Sequence, residues 1–312
     1  HGKKNEDFQK CNLKLNDCVD LKLSEKQISN LLEGELVING EDYQYAGNIS
    51  KLEDVSKYSI YKEYSFENTR IIHDGGIDLK VKLKERVIDI YQTKPGSRIY
   101  FIDGELNNVT INFNGYDEKI KINNNIPIDI NGLTGCVSLI NLNLKNIKIN
   151  SNNSTCEDSI NLINVKGNLL DVKIINSLMD GLDIDFSDVS IDNIFISGSN
   201  NDCLDLSYGN YRLGNVKLYN CGDKGLSVGE KSIVYNDYIE VQNTDIGIAS
   251  KDSSLTKLNT VNLKTTKTCV SAYKKKQEFN GGYLSVKNLN CIDYYKKIDV
   301  DNFSEIKIQN EL

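Results

Sequence analysis

Small residues recur at one fixed interval through the second half of this chain. Gly181, Cys203, Gly225, Gly247, Cys269 and Cys291 stand 22 residues apart, and Ser159 lies one interval earlier. An aliphatic residue follows each: Ile160, Leu182, Leu204, Leu226, Ile248, Val270 and Ile292. A period of this length marks a solenoid, in which each repeat stacks on the last and equivalent residues line up in columns.

Within one repeat the apolar residues alternate. Leu182 and Ile184 form a first strand, Val189 and Ile191 a second, Ile194 and Ile196 a third. Alternation of period two marks half-buried strands. A second series, Asp171, Asn193, Asn215, Asp237, Asn259 and Gly281, predicts the corner between the second and third strands. Asn, Asp and Gly tolerate left-handed backbone there. The expected fold class is all-β: a right-handed parallel β-helix with three strands per coil, regular from about residue 97 to 295. The stretch Asn150–Asp158 reads as extra residues inserted into one coil.

Residues 1–60 read as an N-terminal cap region, and 61–312 as one continuous β-helix domain. Ser24 and Gln27 make a capping box. Ile28, Leu31 and Leu32 give one helical face and Gly34 ends it, so a capping helix is expected. Residues 60–96 read as irregular first coils, with His73 as a structural or surface residue.

The net charge of −7 removes the basic footprint of a nucleic-acid binder. No apolar run approaches the roughly 20 residues of a transmembrane segment. Eight cysteines, two histidines and no Cys-x-x-Cys pair speak against zinc. Equivalent positions in neighbouring coils lie roughly 4.8 Å apart, within bridging reach. The register predicts Cys136–Cys156, Cys203–Cys221 and Cys269–Cys291, and closeness in sequence adds Cys11–Cys18. The alternative is inward-facing cysteines used as small apolar residues. Four bridges imply a secreted or cell-surface protein.

With Leu182 and Ile184 inward, Asp183 and Asp185 point outward and Asp180 sits at the preceding turn. One coil on come Asp202, Asp205 and Ser207; then Asp223, Lys224, Ser227 and Glu230; then Lys251 and Asp252. Carboxylates stacked this closely raise one another's pKa unless a cation offsets them. Such a face can hold an acid and a base together, as glycoside hydrolysis requires. Clustered oxygens also suit calcium, the one cofactor the pattern admits. The competing reading is a solvated outer wall.

Four successive segments carry a resemblance: Met179-Asp-Gly-Leu-Asp-Ile, Asn201-Asp-Cys-Leu-Asp-Leu, Gly222-Asp-Lys-Gly-Leu-Ser-Val-Gly and Ile246-Gly-Ile-Ala-Ser-Lys251. Together they resemble the active-site coils of polygalacturonase-type glycoside hydrolases, in the pectate-lyase-like superfamily. That family carries Asn-Thr-Asp, Asp-Asp, Gly-His-Gly and Arg-Ile-Lys in this order. The resemblance implies that Asp180 and Asp202 stand for motif carboxylates and Lys251 for the final lysine. Asn201 replaces one Asp, Lys224 the His and Ala249 the Arg, which points away from a true polygalacturonase. The stretch Ala272–Phe279 adds Tyr273 and three lysines, either a patch for an anionic sugar or a solvated loop.

Two functions follow. One is a carbohydrate-active hydrolase or lyase on an acidic polysaccharide. Asp180, Asp202, Asp205, Asp223 and Lys224 would be catalytic, and Asp183, Asp185, Glu230, Lys251 and Tyr273 would bind substrate. The other is a non-catalytic surface or coat module, a rigid rod that binds cell-surface glycan within a larger protein.

Overall fold

The computed structural model describes residues 62–116 and 132–311 in full, and the backbone of four short N-terminal strands. The chain divides into two compact units, residues 1–59 with 127–134, and residues 60–126 with 135–312. In the first unit, β1 (Asp7–Asn12) and β2 (Asp17–Lys22) form an antiparallel hairpin that sets Cys11 opposite Cys18. Strands β3 (Val37–Ile38) and β4 (Glu41–Asp42) form another. The helix expected after Ser24, and the side chains of Cys11 and Cys18, lie outside the described residues.

The second unit is a parallel β-solenoid of about ten turns. It opens with β5 (Lys62–Phe66), β6 (Thr69–His73), β7 (Ile77–Lys82) and β8 (Val87–Gln92). The first coil holds β9 (Ile99–Ile102), β10 (Glu105–Asn107) and β11 (Thr110–Asn114). Four coils follow, each a short strand and then a long one. They are β12 (Gly135–Ile140) with β13 (Asn143–Ser154), β14 (Asp158–Ile163) with β15 (Lys166–Ser177), β16 (Asp180–Asp185) with β17 (Asp188–Ser199), and β18 (Leu204–Ser207) with β19 (Asn210–Cys221). After β20 (Lys224–Val228), the strands β21 (Ile233–Lys251), β22 (Leu255–Tyr273) and β23 (Tyr283–Val300) run unbroken through successive walls, and β24 (Glu305–Glu311) ends the stack.

From β11 onward each strand pairs parallel with its equivalent in the next coil. At the start the pairing is antiparallel: β6 lies against both β5 and β9, and β7 against β8. Residues 62–92, expected as irregular coils, are therefore largely hairpins. They cover edge groups that the first coil would leave unpaired. His73 is buried among them, and its Nδ1 lies 2.7 Å from the Asp74 carbonyl oxygen.

The 22-residue interval has a packing cause. A Cβ added at Gly181 would lie 2.7 Å from Ile196 Cγ2; at Gly225, 2.4 Å from Val241 Cγ1; at Gly247, 2.9 Å from Leu263 Cδ1. The long wall presses its aliphatics against this column, so only small residues fit. Where cysteine replaces glycine, a disulfide fills the space: Cys136–Cys156, Cys203–Cys221 and Cys269–Cys291 are all formed. Cys291 and Ile292 themselves fall outside the column: the longer turn before β23 shifts the count by six, so Cys291 pairs in register with Leu263 and Ile292, 46% exposed, with Lys264. Beside the column, Ile160, Leu182, Leu204, Leu226, Ile248 and Val270 stack in register, fully buried.

The Asn series marks the corner to within one residue from Asp171 to Asn259, but the corner does not separate two strands. The expected second and third strands are one bent strand, whose ladder skips Leu170, Asp192, Gly214, Asp237 and Asn259 in turn. Asn193 and Asn215 adjoin this bend, and Gly281 lies well away from it in the turn before β23. None of the Asn series is left-handed. The reversals between walls fall elsewhere along the chain. The left-handed residues mark those reversals, in two other columns: Asn153, Asn176, Asn220 and Asn243 in one, Asn141, Asn164, Phe186 and Tyr208 in the other. Asparagine ladders climb both, with Asn176 Nδ2 donating to Asn153 Oδ1 at 2.9 Å and Asn164 Nδ2 to Asn141 Oδ1 at 2.8 Å.

The insertion expected at Asn150–Asp158 shrinks to a single extra residue between Ser154 and Asp158, because residues 150–154 continue β13. Longer coils lie elsewhere. Ile99 pairs with Val137 and Leu255 with Tyr283, so the extra residues fall before β12 and before β23. The described residues contain no helix that could cross a membrane, and the three disulfides fit an oxidising compartment.

Candidate functional site

The short strands β14, β16, β18 and β20 form one wall. Its outward column reads Asn161, Asp183, Asp205, Ser227, one residue per coil. A second column at the preceding turn reads Asp158, Asp180, Asp202, Lys224, tied coil to coil. Asp180 Oδ1 accepts the Asp202 N–H and Asn201 Nδ2, both at 2.7 Å. Asp202 Oδ1 accepts the Lys224 N–H at 3.0 Å and faces Lys224 Nζ at 3.3 Å. Lys224 Nζ also pairs with Asp223. At the far end of the strands, Asp185 pairs in register with Ser207, and Lys251 with Tyr273.

These residues are not a solvated wall. Asp202, Lys224, Glu230 and Lys251 retain only 3%, 7%, 5% and 3% of their accessible surface. Charges buried this deeply require partners. Lys251 reaches Asp205 Oδ1 at 3.8 Å by passing over Gly229, where a Cβ would come within 3.0 Å of Lys251 Cε. Glu230 accepts a hydrogen bond from Ser207 Oγ and pairs with Lys276 Nζ at 2.6 Å.

The pKa values follow from this packing. Burial, reinforced by the Asp202 charge, pushes Asp180 up to about 7. Burial and the charges of Asp158 and Asp185 hold Asp183 well above the carboxylate range, and burial with Asp205 lifts Asp185 to about 6. Asp202 is raised by burial and by Asp205, partly offset by Lys224 and Lys251. Burial works against the Lys224 ammonium, but Asp202 and Asp223 outweigh it and its pKa stands above the usual lysine value. Glu230 lies below its ordinary value: burial opposes ionisation, but Lys276 and Ser207 overcome it. Burial raises the Tyr273 hydroxyl. Near neutral pH this wall thus carries protonated and ionised carboxyls side by side.

Among the described residues, no three carboxylates, histidines or cysteines converge as a metal site would require. The carboxylates are spread over successive coils, and Asp202, Asp205, Asp223 and Glu230 are each paired with a lysine, so the donor set does not fit calcium.

Two features of the site went unread in the sequence. The first is the fold-back of the residues after β22, of which only the basic and aromatic content was read in the sequence. The Lys275 and Lys276 N–H groups both donate to Asp252 Oδ1 at 2.7 Å, and Asn280 N–H donates to Ser253 Oγ at 2.9 Å. Asp252 is fully buried. The segment Lys274–Gly281 is thereby strapped back along the stack, carrying Lys276 to Glu230 and Phe279 to within 6.1 Å of Tyr208. The second feature is aromatic. Phe186 and Tyr208 occupy the left-handed corner that Asn141 and Asn164 hold in earlier coils. Their rings stack at 4.8 Å and remain 56% and 40% exposed. Left-handed backbone costs a bulky residue about 1–2 kcal/mol. Their spacing of one period was the available signal.

The structure thus gathers Asp180, Asp202, Asp223 and Lys224 into one bonded cluster. Asp183, Asp185, Asp205 and Lys251 form a second group beside it, with Glu230 and Tyr273 at its edge. Comparison of the chain with family models, with curated proteins and with solved structures gives no match.

Proposed function

We propose that this wall engages a glycan, with the Phe186–Tyr208 ring pair as its platform and the outward carboxyls as hydrogen-bonding and acid–base groups. The observation that carries the reading is the ring pair. Two large apolar side chains are kept stacked, exposed and in a strained backbone conformation, at a corner where asparagine serves better. Sugar rings offer flat C–H faces to aromatics and hydroxyls to carboxylates. The site supplies both within one coil.

Asp183 and Asp205 are the pair best placed for chemistry. They stand in one column, roughly 4.8 Å apart by rung spacing, near the carboxyl separation of retaining glycosidases. Asp183 holds its proton as an acid must, while the Lys251 ammonium faces Asp205. A lyase step through Lys224 fits poorly, because a lysine kept charged by Asp202 and Asp223 is no base. This agrees with a degenerate relation to polygalacturonase-type coils, in which hydrolysis rests on other residues. The disulfides suit a secreted or cell-surface setting. One observation favours a non-catalytic surface module instead: Lys251 already occupies Asp205, which lowers its reach as a nucleophile.

The test offers the full chain a panel of neutral and acidic polysaccharides, scoring binding and new reducing ends. Phe186→Ala with Tyr208→Ala should weaken binding at least about tenfold, about 1.4 kcal/mol. Asp183→Asn should stop hydrolysis while binding persists. Binding without turnover in the parent chain selects the module. Binding indifferent to the two rings refutes the site.

A further inference from the structure

A second groove lies past the Phe186–Tyr208 corner, on the outer side of the long strands. Two adjoining hollows of about 500 Å³ and about 540 Å³ share Ser190, Arg212 and Tyr235 in their walls. The register explains the groove. Ser190, Arg212, Tyr235 and Lys257 follow one another in a single outward column, one per coil. Asp192 and Asp237 lie two residues along their strands, at the bend that makes the surface concave.

The charges here differ from those on the carboxylate wall. The Arg212 guanidinium and the Lys257 ammonium both lie 5.5 Å from the centre of the Tyr235 ring, which is 40% exposed. Among the described residues neither cation has a carboxylate within ion-pair distance, and neither Asp192 nor Asp237 has a cation. Lys224, Lys251 and Lys276, by contrast, are all matched. Two like charges drawn to one ring repel each other. An anion relieves that repulsion, and the ring gives it a flat apolar neighbour.

We propose that this groove binds acidic sugar residues of a glycan chain. Arg212 takes a sugar carboxylate through its planar fork, Tyr235 stacks on the sugar's C–H face, and Asp192 and Asp237 accept its hydroxyls. Lys257 lies two rungs from Arg212, roughly 9.6 Å, placed for the next anionic group of an extended chain. A neutral sugar leaves the two cations uncompensated. A nucleic acid sets phosphates against Asp192 and Asp237 on a chain whose net charge is already −7. The proposal does not depend on the carboxylate wall.

The experiment titrates the full chain by calorimetry at low salt. The probes are an oligosaccharide alternating glucuronate with N-acetylglucosamine, an oligogalacturonate and a sialylated trisaccharide, each beside its carboxyl-reduced form, with a single-stranded oligonucleotide as polyanion control. At least one acidic probe should bind, and its reduced form should bind at least about tenfold more weakly. Arg212→Gln and Tyr235→Ala should each weaken binding about tenfold, Arg212→Lys by less, with thermal melts unchanged at these exposed positions. Tyr295→Ser, at an exposed residue outside the groove, should leave this binding intact. The proposal is overturned if no acidic probe binds at roughly millimolar concentration, or if reduced forms bind equally. It is also overturned if Arg212→Gln binds like the parent, or if the oligonucleotide binds as tightly as the sugars.

Discussion

Replacing Asp180 with asparagine should stabilise this protein above neutral pH and leave it unchanged in acid. Folding raises the Asp180 carboxyl from 3.8 to about 7, chiefly by burial and next by the Asp202 charge. A group whose pKa rises on folding contributes its full stability below the unfolded value. That contribution is lost as the pH climbs through the folded value. A shift of about three units, at about 1.36 kcal/mol each, sets a ceiling of about 4 kcal/mol between about pH 4 and pH 8. Asp180 is partly open to water, and it titrates together with Asp183, Asp185 and Asp202, so about 2 kcal/mol is the expected share. The asparagine side chain keeps an Oδ1 acceptor for Asn201 and the Asp202 N–H, and it cannot ionise. Glu230 is depressed on folding, so its contribution is lost only as the pH falls below its ordinary value of 4.5, and parent and variant share it. The assay is urea unfolding by circular dichroism near pH 4.5 and pH 8, comparing midpoints at constant slope. The reasoning is refuted if the variant gains nothing at the higher pH, or if the gain is equal at both.

Three further outcomes follow from other parts of the structure. Phe186→Asn loses a ring stack worth about 1 kcal/mol and relieves left-handed strain of about the same size. Its stability should stay within about 1 kcal/mol of the parent in denaturant melts, while glycan binding falls. Breaking Cys203–Cys221, whose partners are 18 residues apart, should cost about 3 kcal/mol on the chain-entropy account, read as a lowered urea midpoint in the Cys203→Ala, Cys221→Ala variant. Asp252→Ala strands the Lys275 and Lys276 N–H groups and should free the strap; trypsin should then cut at Lys274–Lys276 far faster than in the parent.

The site was partly legible in advance. The columns Asp180–Asp202–Lys224 and Asp183–Asp205 follow from the period alone, because in-register stacking leaves no other arrangement. Their burial does not follow. At Glu230 the pairing comes from the longer turn after β22, whose strap is pinned by Asp252 and brings Lys276 to the Glu230 carboxylate. The Arg212–Tyr235–Lys257 column was hidden by one extra residue near Glu230 and Lys231, which moves Tyr235 off the 22-residue count. The Asn series located the bend but not its backbone conformation. Asn193 and Asn215 mark a bend within a strand, while the left-handed reversals belong to Asn153, Asn176 and Asn220.

The sequence by itself determined the solenoid, the three disulfides of its coils and the outward carboxylate columns. The solenoid and the columns are consequences of one repeated distance between identical positions, and the disulfides join cysteines 20, 18 and 22 residues apart, close to that distance. Only the tertiary structure decided which charges lose their water, which lysine meets which carboxylate, and that two aromatic rings are held exposed against backbone strain. Those outcomes depend on residues brought together from different coils by turns of unequal length, and a fixed period carries no information about them.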